Sequence, residues 1–113
     1  MKKIEAIIKP FKLSQVKEAL HELGISGMTL VDVKGFGRQR GSTGGIDPND
    51  GYDDEFLAKM KLEVIVEDNQ VDSVLESIKT SAYSGKIGDG KIFVSNIEQV
   101  IRIRTGEKDS DAV

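Results

Sequence analysis

The segment Ser84–Lys91 is rich in glycine and lysine and reads Ser-Gly-Lys-Ile-Gly-Asp-Gly-Lys. Its three glycines allow backbone N–H groups to approach an anion closely, and Lys86 and Lys91 add positive charge. The glycine and lysine spacing is that of a Walker P-loop, but Ile92 stands where that motif needs Ser or Thr, and a strand is expected to follow. The segment favours a phosphate-binding turn over a hydrolase loop, although spacing alone fits a turn with solvated lysines equally well.

A second cationic feature is Arg102-Ile-Arg-Thr-Gly-Glu107, near the end of the sequence. Alternation predicts an extended strand with both arginines on one side and Ile101 and Ile103 on the other. Parallel guanidinium groups suit phosphate oxygens, whereas an isolated arginine pair on a terminal strand is more often a solvated edge. Its occurrence together with the glycine-rich segment favours an anion site.

The third feature is a stretch of some twenty residues, 37–56, without a sustained apolar period. Connections in compact domains mostly have about 4–6 residues, so a longer one indicates a functional loop. Its start, Gly37–Gly41, combines flexible backbone with two arginines. Acidic residues dominate the remainder, and solvated charge explains them better than a divalent-cation site. We expect a loop that binds a ligand or contacts a partner.

Composition excludes several classes of function. The chain of 113 residues is predicted to form one domain, 1–113, and contains no apolar run that could cross a membrane. It has no cysteine, and its one histidine, His21, is predicted to be a surface residue and not a metal ligand. A formal charge of −3 argues against a nucleic-acid binder. We therefore expect a cytoplasmic protein that neither binds nucleic acid nor inserts into membranes.

An internal repeat supplies the elements that would position these three features. Lys3–Lys9 is similar to Lys61–Glu67, and Val16–Leu20 is similar to Val74–Ile78, at the same separation along the chain. Each half has the pattern of a strand, an amphipathic helix and a second strand. The predicted second strands are Met28–Phe36 and Lys91–Ile97. Ser14 and Asp72 are expected to cap the helix starts, Gly24 to end the first helix, and Met28, Met60 and Phe93 to fill the core.

Two strand-helix-strand units predict an α+β fold of the ferredoxin-like type, with a four-stranded antiparallel sheet and both helices on one face. Ile4, Ala6 and Ile8 point to one face of the sheet and Ile7 to the other, so neither face is cleanly polar. Other copies of the chain would cover the second face economically. We therefore expect a closed homo-oligomer.

At this point the chain resembles the PII signal-transduction family along nearly its whole length. The similar segments are Lys3–Leu13, Val33–Gln39, Gly85–Phe93 and Arg102–Glu107. The resemblance implies a homotrimer that binds ATP or ADP in three clefts between subunits. It also implies a T-loop at about 37–57, a B-loop at about 82–91 and a C-terminal loop at about 98–113.

The resemblance assigns roles to individual residues. Ile7, Thr29 and Ile65 would surround the adenine, and Gly35, Gly37, Arg38 and Gln39 would adjoin the nucleotide at the root of the long loop. Gly88, Gly90 and Lys91 would hold the phosphates, with Arg102 and Arg104 from the neighbouring subunit, and Asp89 would also belong to the nucleotide site. With Mg-ATP, 2-oxoglutarate would bind through Gln39, Gly41 and Lys59, where Gln39 also coordinates Mg²⁺ and Lys59 pairs with a carboxylate.

The implied function is that of a sensor and not an enzyme: a cytoplasmic regulator of a transporter or a nitrogen-metabolism enzyme, acting through its T-loop. The acidic loop departs from the family, since no basic residue occurs from Ser42 to Ala58, so we do not expect it to plug an ammonium channel. Tyr52 falls where the family carries a uridylylated tyrosine, and an unmodified exposed aromatic is an equal alternative. Two other functions remain open: an adenine-nucleotide sensor with a different effector and transporter target, and a weak ATPase.

Overall fold

The computed structural model describes residues 1–36 and 56–113. Within them, four strands form one antiparallel sheet in the order β2-β3-β1-β4. The strands are β1 (Lys2–Ile8), β2 (Thr29–Gly35), β3 (Leu57–Val66) and β4 (Lys91–Asn96). The helices are α1 (Leu13–Glu22) and α2 (Val71–Ala82), with short 3-10 helices at Pro10–Lys12, Asp68–Gln70 and Asp109–Ala112. The predicted ferredoxin-like arrangement is confirmed.

The core lies between the helices and one face of the sheet. Alternate residues of the two central strands are buried there, as the sequence pattern predicted. They pack with the apolar stripes of the two helices. The core side chains are Ile4, Ala6 and Ile8 of β1, Leu62, Val64 and Val66 of β3, Val16 and Leu20 of α1, and Val74, Ile78 and Ala82 of α2. Met28 and Met60 pack against this core, as predicted.

The opposite face, called the open face below, mixes apolar and charged side chains. Ile7 and Ile65 lie on it and are half-buried. Glu5 and Glu63 stand opposite each other in the register of β1 and β3. Each carboxylate lies near a lysine of its own strand, with 3.8 Å between Lys3 and Glu5 and 3.7 Å between Lys61 and Glu63. Charge repulsion between the two strands is thereby offset.

The first helix ends as predicted, and both helices begin differently. Gly24 has φ +84°, its N–H donates to the His21 carbonyl at 2.9 Å, and the Ile25 N–H donates to the Leu20 carbonyl at 3.0 Å. These two bonds form a Schellman motif. The prediction that Ser14 and Asp72 cap the helices is wrong, because a 3-10 turn precedes each helix and places them inside its first turn.

Two expectations near the strands are also wrong. Phe93 is 48% exposed because its place on β4 points it to the open face, opposite Glu5, and not into the core. The arginine segment is a turn and not an extended strand. Ile101 bridges to Lys108, and the Arg102 N–H donates to the Glu107 carbonyl at 2.8 Å. Gly106, with φ +73°, allows the chain to reverse at this point.

Smaller features agree with the sequence analysis. The ends of β2 and β4 lie within a residue of the predicted limits, and His21 is exposed on α1. In the described ranges 1–36 and 56–113, no helix combines the length and hydropathy that a membrane span requires. The same ranges contain no group of three or more acidic or histidine side chains that could hold a metal ion.

Candidate functional site

A cleft of about 570 Å³ lies where the glycine-rich loop meets the sheet. Residues from β1, β2, β3 and the loop line it, so the fold brings together segments that are far apart in the sequence. The residues that sequence analysis had proposed for a ligand and that line this cleft are Ile7, Gly35, Lys59, Lys86, Gly88, Asp89, Gly90 and Lys91. Phe36, Leu57, Ile87 and Phe93 also line it and had not been assigned to a site.

Glycine is required at two positions of the loop for different reasons. Gly88 has φ +100°, a conformation that side chains disfavour. Gly90 has the same φ, and a Cβ built there would lie 1.7 Å from the carbonyl oxygen of Ile7. The loop backbone is therefore pressed directly against the end of β1. Lys91 then begins β4, so a strand follows the glycines, as predicted, and the helix that a Walker loop needs is not at this position.

The carboxylate of Asp89 organises the loop from within. Its Oδ2 accepts hydrogen bonds from the Ser84 N–H at 2.8 Å and the Gly85 N–H at 2.9 Å. Its Oδ1 accepts a hydrogen bond from the Ser84 hydroxyl and lies 3.2 Å from Nζ of Lys9. The family resemblance had assigned Asp89 to the nucleotide site. In the structure, the Asp89 side chain forms hydrogen bonds within the loop. Only its backbone is therefore available to contact a ligand.

These contacts change the acidity of Asp89. Burial alone would raise the pKa of this carboxyl group, but the hydrogen bonds from Ser84, Gly85 and Lys9 outweigh burial and hold the pKa well below its ordinary value. Because the folded-state pKa lies below the unfolded one, ionised Asp89 stabilises the fold above about pH 4, and the contribution is lost as the pH falls toward the depressed value.

Asp89→Ala should lower the free energy of unfolding by about 2 kcal/mol at neutral pH, since it leaves Lys9 and the loop N–H groups without their acceptor. The difference from wild type should shrink below about pH 4, where the wild-type carboxylate begins to lose its advantage. Urea denaturation at several pH values measures both effects. Glu18→Ala, at an exposed position on α1, is the control and should change stability by less than about 0.5 kcal/mol. A difference independent of pH would contradict this role of Asp89.

Lys59 is the second buried cation at the cleft, at 8% exposure. Its Nζ donates to the Gly88 carbonyl at 2.7 Å. Burial lowers the pKa of Lys59, the nearby charge of Lys9 lowers it further, and Asp89 opposes both. Two buried lysines thus share the neighbourhood of one carboxylate.

The remaining predicted residues within the described ranges do not line this cleft. Ile65 stands opposite Lys3 in the sheet, whereas Ile7 stands opposite Lys61. The four-residue separation along β3 corresponds to about 13 Å, too far for one adenine ring to reach both in a single chain. Thr29 pairs with Glu63 on the open face. The predicted residues that line the cleft are called the cleft set below. Thr29, Ile65, Arg102 and Arg104 are called the remote set.

The two arginines of the remote set occupy the C-terminal turn. The guanidinium group of Arg102 lies 3.1 Å from the Glu107 carboxylate, and Arg104 is exposed. The other predicted site residues lie outside the described residues: Gly37, Arg38, Gln39, Gly41 and Tyr52. Among the residues that the structure describes, the cleft therefore brings together the cleft set and leaves the remote set outside it.

An aromatic pair joins the two ends of the long loop at the mouth of the cleft. The ring centroids of Phe36 and Phe56 are 5.7 Å apart, with the ring planes inclined by 44°. Phe36 directly follows β2 and Phe56 directly precedes β3, where Gly35 pairs with Leu57. Sequence analysis missed this contact. The signal available was an aromatic residue immediately outside each of two strands that pair as neighbours.

The fold and cleft together define a small α+β protein with a cleft at its glycine-rich loop, which is followed by a strand and not by the helix that phosphate hydrolases of the Walker type use. The model of the family described as "Nitrogen regulatory protein P-II" matches residues 1–107. The chain belongs to this family. Its relatives are regulatory proteins, and the chain is likewise a nitrogen regulatory signal-transduction protein and not an enzyme.

The similarity extends over complete chains. Nitrogen regulatory proteins P-II from Azospirillum brasilense and from Nostoc punctiforme are each 58% identical over 113 residues, which is 100% of this chain and 100% of each relative. The protein of the same name from Rhizobium meliloti is 57% identical over the same length. Among solved structures, Arabidopsis thaliana PII bound to citrate superposes with a TM-score of 0.82 at 43% identity, covering 99% of this chain and 91% of that one.

Proposed function

We propose that this PII protein acts in the cytoplasm as a homotrimer that binds ATP or ADP between neighbouring copies, and 2-oxoglutarate together with Mg-ATP. The proposed output is regulation of a transporter or a nitrogen-metabolism enzyme through the T-loop, residues 37–57. The observation that carries the proposal is the division of the predicted nucleotide residues into a cleft set and a remote set. The approach of another copy would bring the two sets together around one nucleotide.

The open face supports assembly with further copies. It presents apolar side chains that a single chain leaves partly uncovered, including Phe93 at 48% and Val31 at 41% exposure. The cleft set and the remote set differ in position, so the contact that joins them is head-to-tail. Head-to-tail contacts close into rings when the rotation permits, and a trimer is such a ring. Every copy would then contribute one set to each of two clefts.

The chemistry of the cleft set fits a nucleotide. Backbone N–H groups beside Gly88 and Gly90 and the charge of Lys91 suit phosphate oxygens, whereas Ile7 and Ile87 offer apolar contact to a base. The guanidinium groups of Arg102 and Arg104 in the neighbour would complete the phosphate contacts. Magnesium would supply charge neutralisation between phosphate and ligand oxygens, and its preference for oxygen ligands and retained waters agrees with Gln39 as one of few protein contacts.

A carboxylate ligand fits the charge near Lys59. Lys59 lines the cleft and is buried, and its Nζ donates to the Gly88 carbonyl at 2.7 Å, so a carboxylate beside it would meet a cationic donor held in place. The structure of the Arabidopsis relative is bound to citrate, a tricarboxylate, which supports a carboxylate as the ligand class. We propose that 2-oxoglutarate pairs with Lys59 and contacts Gln39 and Gly41. Titration of 2-oxoglutarate with and without Mg-ATP tests this directly, since binding only in the presence of Mg-ATP is expected.

Lys59→Met should weaken 2-oxoglutarate binding by about 10- to 100-fold, because one charge-assisted hydrogen bond contributes about 1.5–3 kcal/mol. The melting temperature should fall only modestly, since the change leaves the Gly88 carbonyl without its donor but also removes a buried charge whose pKa is lowered in the folded state. Calorimetry in Mg-ATP and thermal unfolding measure the two effects. Lys17→Met, on the exposed side of α1, is the matched control. Unchanged 2-oxoglutarate affinity in Lys59→Met would remove Lys59 from the ligand site.

Signalling would follow from a population shift of the T-loop. ATP with 2-oxoglutarate and ADP alone would favour different loop conformers, provided that each ligand contacts the conformers differently. Gly35 and Phe36 at the end of β2 line the cleft, so the start of the loop is next to the proposed ligand. Uridylylation of Tyr52 stays a prediction, and so does the identity of the target protein.

A further inference from the structure

Lys9 lies immediately behind the glycine-rich loop, and nothing in the nucleotide site as proposed assigns it a role. It follows β1 and is only 7% exposed, which is unusual for a lysine. Its Nζ donates to Ser84 Oγ at 3.1 Å and lies 3.2 Å from Asp89 Oδ1. Both partners belong to the loop, so Lys9 fastens the loop to the end of β1 through an ion pair between a buried lysine and a half-buried carboxylate. We call Lys9, Ser84 and Asp89 the loop anchor.

The loop anchor fixes the direction of specific backbone groups. Asp89 turns the N–H groups of Ser84 and Gly85 inward toward its carboxylate. On the other side, Lys59 binds the Gly88 carbonyl at 2.7 Å and so orients the peptide that follows it. The loop is held between two buried lysines, one acting through Asp89 and one directly. Its conformation is set before any ligand arrives.

Removal of the Lys9 charge has a defined consequence. Asp89 would keep its bonds to Ser84 and Gly85 but lose its buried cation, and the carboxylate would gain by turning toward water. Gly85, Gly88 and Gly90 all have positive φ, and glycine is the residue with the most backbone freedom to give up on ordering. A loop of this composition therefore depends on its anchor to stay in one conformation.

We propose that Lys9 is a positioning residue for nucleotide binding: through Asp89 it holds the loop from Gly85 to Lys91 in the conformation that receives the phosphates. The inference deepens the proposed function and rests on it. Lys9 contacts the loop and not the nucleotide. Its effect should therefore grow with the number of phosphates that the loop must hold, and should be visible in the loop before nucleotide is added.

The test compares wild type with Lys9→Met, a variant that keeps most of the length of the side chain but loses the charge, and with Lys17→Met as the matched exposed control. Amide hydrogen exchange of Ser84 and Gly85 without nucleotide reports the anchor itself. Calorimetric titrations with ATP and AMP report its consequence. Asp89→Asn serves as a second variant that breaks the same ion pair from the other side, in case Lys9→Met does not fold.

We expect exchange at Ser84 and Gly85 to accelerate by about tenfold or more in both anchor variants, with exchange in the core strands unchanged. The ATP affinity should fall by about tenfold, and the AMP affinity by less. Unchanged exchange at both amides would overturn the inference, and so would accelerated exchange with wild-type ATP affinity, or equal losses for ATP and AMP. If the wild-type protein binds neither nucleotide, the proposed function itself fails, which the titration of wild type shows separately from the exchange data.

Discussion

Gly90→Ala should lower the affinity for ATP by more than about 100-fold, equivalent to roughly 3 kcal/mol. The added Cβ would lie 1.7 Å from the carbonyl oxygen of Ile7 and 2.8 Å from its carbonyl carbon, and both are backbone atoms of a central strand. The strand cannot give way without loss of sheet pairing, so the loop must move. Its movement displaces the N–H groups beside Gly88 and Gly90 from the proposed phosphate site. Calorimetric titration with ATP measures the loss.

Gly24→Ala separates backbone strain from this steric overlap. Gly24 has φ +84°, and a Cβ there would meet nothing within 4 Å. The variant should lose about 1–2 kcal/mol of stability through the unfavourable left-handed conformation and keep its affinity for ATP. ATP binding by Gly90→Ala within about threefold of wild type would show that the loop does not hold the phosphates.

Mixing two inactive variants should restore nucleotide binding. Gly90→Ala damages the cleft set, and Arg102→Ala combined with Arg104→Ala damages the remote set. If each cleft takes one set from each of two neighbours, a mixed trimer contains a cleft built from the two undamaged sets. Every mixed trimer should contain about one restored cleft in three, because only one of its neighbour pairs combines the two undamaged sets. Co-expression with two affinity tags, followed by ATP titration of the doubly purified protein, measures the recovery.

The matched control combines two variants of the same set, Gly90→Ala with Lys91→Ala. Every cleft in that mixture carries a damaged cleft set, so no recovery is expected. Absence of recovery in the first mixture, with trimers intact, would mean that both sets serve the same chain and that the proposed division between copies is wrong.

The sequence predicted the elements whose signals are local. The alternation of Ile4, Ala6 and Ile8 identified the buried face of β1, and Gly24 identified the end of α1. Predictions from local signals were wrong where a turn sets the backbone conformation or where pairing with a neighbouring strand sets the direction of a side chain. Arg102 and Arg104 alternate with isoleucine as in a strand, but Gly106 reverses the chain and places them in a turn. Phe93 is apolar, yet its register on β4 directs it to the open face.

The residue types of the candidate site could be predicted from the sequence, but the contacts among its side chains could not. The glycines and lysines of the loop indicated an anion site, and the positive φ of Gly88 and Gly90 agrees with that interpretation. The loop anchor could not be predicted, because Lys9 and Ser84 are separated by 75 residues and meet only through the packing of β1 against the loop. The buried charge of Lys59 likewise depends on tertiary contacts with Gly88 and Lys9.

The family resemblance supplied residue types for the nucleotide site but could not say which residues one chain brings together. The strand register supplied that answer, since Ile65 lies four positions along β3 from Lys61, the residue opposite Ile7. It divides ten described positions that seemed equivalent in sequence into two groups, which we propose come from different copies at each cleft: Ile7, Gly35, Gly88, Asp89, Gly90 and Lys91 in the cleft set, and Thr29, Ile65, Arg102 and Arg104 in the remote set.

Native mass spectrometry of the wild-type protein with ATP tests the central claim most directly, because it counts chains and nucleotides in the same particle. The division of the site between copies predicts a particle of three chains that takes up as many as three ATP molecules, and a monomer that takes up none. A monomer that binds ATP as well as the assembled protein does, or a trimer that binds no nucleotide, would contradict it.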